Sequence, residues 1–146
     1  MEKAFLKSFN EEEQSETVES VWVEKQGENY ILQNTPFFAY LYAYQDVVSV
    51  EMIDGDKAII NIIECSGNSS VRILFFDIDY MPIVRERLDK AGYSSEASPT
   101  LCMLAVNIPK ESSYLHFLNI IKDYCEKGII DYEESALTEA HGKEIL

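Results

Sequence analysis

Two histidines, three cysteines and a scatter of carboxylates are the groups in this sequence that could carry out chemistry, and their spacing argues against most of it. Nucleophilic or general acid–base catalysis needs a base held in place by a second group. His116 falls between apolar positions of a predicted helix, and His141 stands beside Gly142 in an acidic carboxyl-terminal stretch. Neither has a cysteine or carboxylate at a spacing that would orient it, so a structural or solvent-exposed role is expected for both. No H-E-x-x-H, G-x-S-x-G, Walker or G-x-G-x-x-G pattern occurs. Acidic pairs such as Asp77 with Asp79, or Glu133 with Glu134, lack a loop that would converge several oxygens on a cation, and Asp54-Gly55-Asp56 already reads as a turn. The expectation is a non-enzymatic protein with no catalytic residues, metal or cofactor.

Four other polar residues stand out by location. Arg72 is a guanidinium inside the β-branched and aromatic run Val71 to Phe76. Such an arginine needs a carboxylate, and Asp46 and Glu64 are the expected partners; an ion pair locking two halves of the fold is the first reading and an anion site the second. Asn34 opens the turn before Pro36, where its side chain can bond its own backbone two residues on. Asp46 is placed to cap the loop entering the third strand. Tyr40 closes the aromatic block Asn34-Thr35-Pro36-Phe37-Phe38-Ala39-Tyr40, and with Asn34, Asp46 and Arg72 it marks either a structural motif or a small pocket between two subdomains. The one tryptophan, Trp22, alternates with Val21 and Val23 and is core if that face points inward, a partner contact if outward.

The 146 residues, 47% of them hydrophobic, suffice for one ordinary domain with a real interior. The formal net charge of −14 repels nucleic acid and anionic membrane and attracts basic partners. Acidity concentrates at the ends, with six acids against two bases in residues 1–20 and seven against two in residues 123–146. Glu11, Glu12 and Glu13, and Asp131, Glu133 and Glu134, are therefore the candidate partner-facing clusters, with fraying and solubility as the plainer account of the ends. Cys65, Cys102 and Cys125 are odd in number and lack C-x-x-C spacing, which reads as buried free thiols in a reducing cytoplasm. No run reaches the length that crosses a bilayer, and the amino terminus turns acidic before an apolar signal core forms.

Period-two alternation and turn residues predict strands from Ser20 to Phe76. Gln26-Gly27-Glu28-Asn29, Asp54-Gly55-Asp56 and Ser66-Gly67-Asn68 separate them, giving a five-stranded barrel-like subdomain over residues 18–76. Thereafter the period lengthens. Helices are predicted near 79–91, capped by Asp79 and stopped by Gly92, and near 112–127, ending at Gly128. Strands near 93–97, 101–108 and 129–134 complete a β-α-β-β-α-β unit over residues 70–135 that shares a core with the barrel. The expected class is α+β: a small antiparallel SH3-like sheet followed by a ferredoxin-like unit, flanked by acidic termini at 1–17 and 136–146.

Val18-Glu19-Ser20-Val21-Trp22-Val23-Glu24, the Asn34 to Tyr40 block, Asp46-Val47-Val48, and Ser66-Gly67-Asn68-Ser69-Ser70-Val71-Arg72-Ile73 together resemble the bacterial family catalogued as domain of unknown function 4265. The likeness covers about residues 18 to 135, with Asn-x-Pro-Phe-Phe its most specific part. It implies a small bacterial cytosolic protein and supplies no reaction. Compact, acidic, motif-poor chains of that character look like immunity proteins of interbacterial toxin systems. The leading expectation is thus an immunity protein that binds a basic, co-encoded toxin domain; the alternative is a small-ligand-binding or regulatory domain. Oligomeric state is left open by an open sheet edge.

Overall fold

A computed structural model describes all 146 residues, which form a mixed α+β fold of two mainly antiparallel sheets with few helices. The first sheet closes into a barrel of β1 (Glu2–Asn10), β2 (Ser15–Gln26), β3 (Asn29–Leu32), β4 (Val47–Ile53) and β5 (Asp56–Glu64). Successive strands pair antiparallel, and a single parallel contact between Phe5 and Ala58 joins β1 to β5. Because strand side chains alternate, Ala4 and Leu6, Val21 and Val23, Leu32, Val48 and Ile59 point inward and form the barrel core with Ala39. Asp54 and Gly55 both adopt positive φ, 53° and 86°, the backbone that lets a two-residue hairpin follow the strand twist.

The second sheet has the order β7 (Ser95–Ser98), β8 (Met103–Ile108), β6 (Ser69–Phe75), β9 (Ile130–Ala136), antiparallel throughout. Helices α1 (Met81–Lys90) and α2 (Tyr114–Glu126) cover one face, where Val71, Ile73, Phe75, Leu104 and Val106 pack against Val84, Leu88, Phe117 and Ile121. The α2 start is set by Ser113, whose Oγ accepts from the His116 amide at 3.1 Å. No helix is long and apolar enough to cross a membrane.

Several expectations change. The barrel spans residues 2–64 rather than 18–76, and its fifth strand is β1 instead of the run after Ser69. β6, central in the second sheet, is buried except at Leu74, because the helices cover Val71, Ile73 and Phe75 and the loop after β3 covers Ser70 and Arg72. The amino-terminal stretch does not fray: Ala4 and Leu6 are core residues. Asp77, not Asp79, makes the cap before α1, accepting from the Asp79 amide at 3.1 Å within a 3-10 turn over Ile78–Tyr80. The carboxyl-terminal tail ends in a docked helix, α3 (Glu139–Lys143). His141 on α3 is 1% exposed, with Nδ1 2.6 Å from Ser69 Oγ and Nε2 3.1 Å from the Ser112 carbonyl. The carbonyl only accepts, so Nε2 donates to it. The cysteines are free, but Cys65 is exposed and Cys102 and Cys125 are half-buried, so they are not core thiols.

Candidate functional site

Residues 33–46, between β3 and β4, form no helix or strand and run from the barrel across to the second sheet. A loop so placed must find partners for its backbone, and two side chains supply five of them. Glu19 faces the barrel interior in the same alternation as Val21 and Val23. Its Oε1 accepts from the Phe37 amide at 2.8 Å, and its Oε2 from those of Phe38 and Ala39 at 2.9 and 3.0 Å. From the other side Arg72 on β6 donates through Nη1 to the carbonyls of Phe37 and Phe38 at 2.7 and 3.0 Å. Further along, the Leu41 amide donates to the Ser135 carbonyl at 2.9 Å, and Ser70 Oγ to that of Tyr42 at 3.0 Å. Leu41 and Gln45 lie in the left-handed region at φ 73° and 69°, a cost that non-glycine residues bear only where such anchors hold them.

Where this loop meets β6 and β9 there is a cleft of about 290 Å³. Arg72, 9% exposed, lies beneath it, and Tyr40 and Glu133 cover the guanidinium. The Tyr40 ring centroid is 4.4 Å from the guanidinium carbon, a cation–π stack, and the Tyr40 hydroxyl donates to Glu133 Oε1 at 2.6 Å. That bond, with partial burial, pushes the Tyr40 phenol above its usual range. Glu133 faces Arg72 across the β6–β9 ladder, with Oε1 3.3 Å from Nη2. Leu74 and Met103 line the apolar side, and Asp131 stands opposite Leu74, whereas Tyr132, opposite Ile73, meets the cleft through its backbone and sends its ring to the helix-covered face. Arg72 Nε and Nη2 nevertheless have no hydrogen-bond partner.

The structure brings together Tyr40 and Arg72 and adds Glu133 to them; Asn34 and Asp46 are elsewhere. Asn34 Oδ1 accepts from the Trp22 amide at 2.7 Å, so it ties the loop to β2 instead of bonding its own backbone two residues on. Asp46 is fully buried and takes the amides of Ala43 and Ser66 at 2.9 and 2.8 Å. Burial raises its carboxyl pKa, opposed by those two bonds. Neither Asp46 nor Glu64 is the partner of Arg72, because the β6–β9 register sets Glu133 directly beside it. Trp22 faces outward at 45% exposure, with Lys3 Nζ 5.3 Å from its ring centroid. Glu11, Glu12 and Glu13 form the exposed β1–β2 turn. Asp131, Glu133 and Glu134 are all exposed, but alternation puts Asp131 and Glu133 on one face of β9 and Glu134 on the other. Asp131 accepts from the Tyr132 amide, Glu133 serves Arg72 and Tyr40, and Glu134 accepts a hydrogen bond from the buried Tyr114 hydroxyl. Desolvation and then that bond raise the Tyr114 pKa. No three His, Cys, Asp or Glu side chains are grouped as a metal site would need.

Sequence reasoning missed Glu19, although the alternation that sends Val21 and Val23 inward also sends Glu19 inward. An inward carboxylate requires donors, and the aromatic block supplies them as backbone amides.

The family model described as "Domain of unknown function (DUF4265)" matches residues 19–132. The fold is similar to that of a hypothetical protein from Neisseria gonorrhoeae, seen in a crystal structure, with a TM-score of 0.78 and 22% identity over 92% of this chain and 94% of that one. At that identity the likeness concerns the fold alone. No curated protein matches the chain.

Proposed function

The chain belongs to the family of domain of unknown function 4265, and since that membership carries no activity, we propose from its surface chemistry that it is a non-enzymatic binding protein. More specifically, it is an immunity protein that works in the bacterial cytoplasm and occludes a basic toxin domain, such as a nuclease, of an interbacterial competition system. Its architecture is read as an SH3-like barrel followed by a ferredoxin-like unit.

One observation carries this reading. The outward face of the β1–β2 hairpin presents Phe5, Phe9, Val18 and Trp22, each between 36% and 58% exposed, in one stripe leading to the carboxylates of Glu11, Glu12 and Glu13. By strand rise the stripe is roughly 20 Å long. Lys7 within it is offset by Glu16 at 3.7 Å. Lys3, opposite Trp22 and over its ring, is the second base on this face. Aromatic anchors that end on an acidic turn have the composition of an interface centre and rim, and with a net charge of −14 the complementary partner is basic. The acids of β9 contribute less, because Glu133 and Glu134 are hydrogen-bonded to Tyr40 and Tyr114 of the same chain.

The test is co-expression of this chain with the toxin domain encoded beside it, together with calorimetry of the purified pair. Wild type should rescue growth and bind, and Trp22→Ala with Phe9→Ala should lose both while keeping the wild-type melting temperature. Absence of a complex with the wild-type chain, or full rescue by the folded double variant, overturns the proposal.

A further inference from the structure

The Arg72 cleft has features that loop anchoring alone does not require. A guanidinium presents two donor forks, and here Nη1 is spent on the Phe37 and Phe38 carbonyls while the edge formed by Nε and Nη2 is buried and unpartnered. The third buried side-chain polar atom without a partner, Asn107 Oδ1, belongs to the same sheet face, since Asn107 pairs with Ser70 and Ala105 with Arg72. Leaving such donors unmet is costly, and native proteins seldom do so without a use for them. The groups over that edge are the least fixed in the neighbourhood: Tyr40 is 53% exposed and the Glu133 side chain 55%. Glu133 sits near Nη2 at 3.3 Å without hydrogen-bond geometry, as a placeholder carboxylate would.

We propose that this cleft binds a free α-amino acid with an apolar side chain, whose carboxylate displaces Glu133 and takes the Nε/Nη2 edge of Arg72 side-on. Planar bidentate pairing is what that edge is shaped for. A simple anion would face Asp131 and the released Glu133, two like charges. A zwitterion instead places its ammonium between them, so both signs in the cleft are answered. Leu74 and Met103 then receive the side chain, and Tyr40 closes over it. The volume of about 290 Å³ is at the small end of ligand sites, which fits one amino acid and excludes a peptide. This site is separate from the hairpin stripe, and its occupancy would stand or fall without regard to the partner.

The experiment is calorimetry and amide-resolved NMR of the full chain with leucine, methionine and phenylalanine, alongside their N-acetyl and carboxamide derivatives. Saturable binding of at least one amino acid, with shifts at Leu74, Met103 and Tyr132, is expected. Either derivative should bind about tenfold or more weakly, the loss of one charge-assisted contact. Because replacing Arg72 risks unfolding, the variants are Asp131→Asn and Leu74→Gln, both at exposed positions. Each should weaken the amino acid while leaving the melting temperature unchanged. No saturable binding at millimolar concentration, or binding indifferent to both derivatives and to Asp131→Asn, overturns the proposal.

Discussion

Glu19 and Arg72 grip Phe37 and Phe38 from opposite chemical ends: the carboxylate takes their amides and that of Ala39, and the guanidinium takes their carbonyls. One of the pair belongs to the barrel and the other to the second sheet, so the loop between them is the bolt that fastens the two. A charge is used at each end because several backbone groups must be satisfied by a single side chain, and ionised groups bond about twice as strongly as neutral ones.

Removing Glu19 leaves three amides without acceptors in a half-buried place. Glu19→Ala should lower stability by about 2–4 kcal/mol, and Glu19→Gln should recover only part, since its NH₂ would face donors. Urea denaturation of the three proteins measures this. A Glu19→Ala curve superimposed on wild type would mean that water replaces the carboxylate at no loss.

Arg72→Met should cost a few kcal/mol, through the two orphaned carbonyls and the loss of the guanidinium beneath Tyr40. Glu133→Gln should cost less, about 0.5–1 kcal/mol, because the Glu133 carboxylate is largely solvated. A double-mutant cycle with Tyr40→Phe separates the Tyr40–Glu133 hydrogen bond from the stacking of the ring on Arg72. Should Arg72→Met melt as wild type does, the guanidinium is held by water and not by the loop.

How far these contacts were legible in the sequence depends on their range. Strand alternation and Gly or Asp-Gly turns revealed β2 to β5, and the longer period with the Gly128 stop revealed α2, because those signals are local. β1 was obscured because Phe5 and Phe9 put apolar residues on its outer face, so that Ala4-Phe5-Leu6 reads as a run and not as an alternation. Arg72 was legible as a residue in need of a carboxylate. Its partner was not, since Glu133 reaches it only through a sheet order that sets β9 beside β6. His141 looked like part of a polar tail for the same reason: Ser69 and Ser112, which hold it, are distant in sequence.

The docked carboxyl terminus has a pH signature. Glu144 accepts from the amides of Tyr114 and Leu115 and from Ser113 Oγ, capping α2 from outside its own sequence, and these bonds hold its carboxyl below the ordinary 4.5. A depressed folded pKa contributes stability above the unfolded value and loses it as pH falls through the folded one. Glu144→Gln should therefore be less stable than wild type at neutral pH, with the gap closing in acid. Denaturation curves for both proteins across that range are the measurement, and a gap that is constant with pH would assign the effect to packing instead of charge.

Encounter with a basic partner offers a separate kinetic prediction. Long-range attraction acts on approach, before contacts form, so the carboxylates at the β1–β2 turn should accelerate association while the apolar stripe governs release. Salt should slow capture steeply and change dissociation little, since exposed charges beyond roughly 8 Å are screened at physiological ionic strength. Reversing Glu11, Glu12 and Glu13 should mimic high salt at low salt. Trp22→Ala should instead speed release, by about thirtyfold if the indole is a centre of the interface worth some 2 kcal/mol. Reversal at Glu133 and Glu134 should chiefly lower the melting temperature, because those acids serve Arg72, Tyr40 and Tyr114. Stopped-flow mixing with the co-encoded toxin domain distinguishes the cases. Capture rates unmoved by salt and by the turn reversal would reduce the acidity to solubility and leave the stripe without a charged partner to recognise.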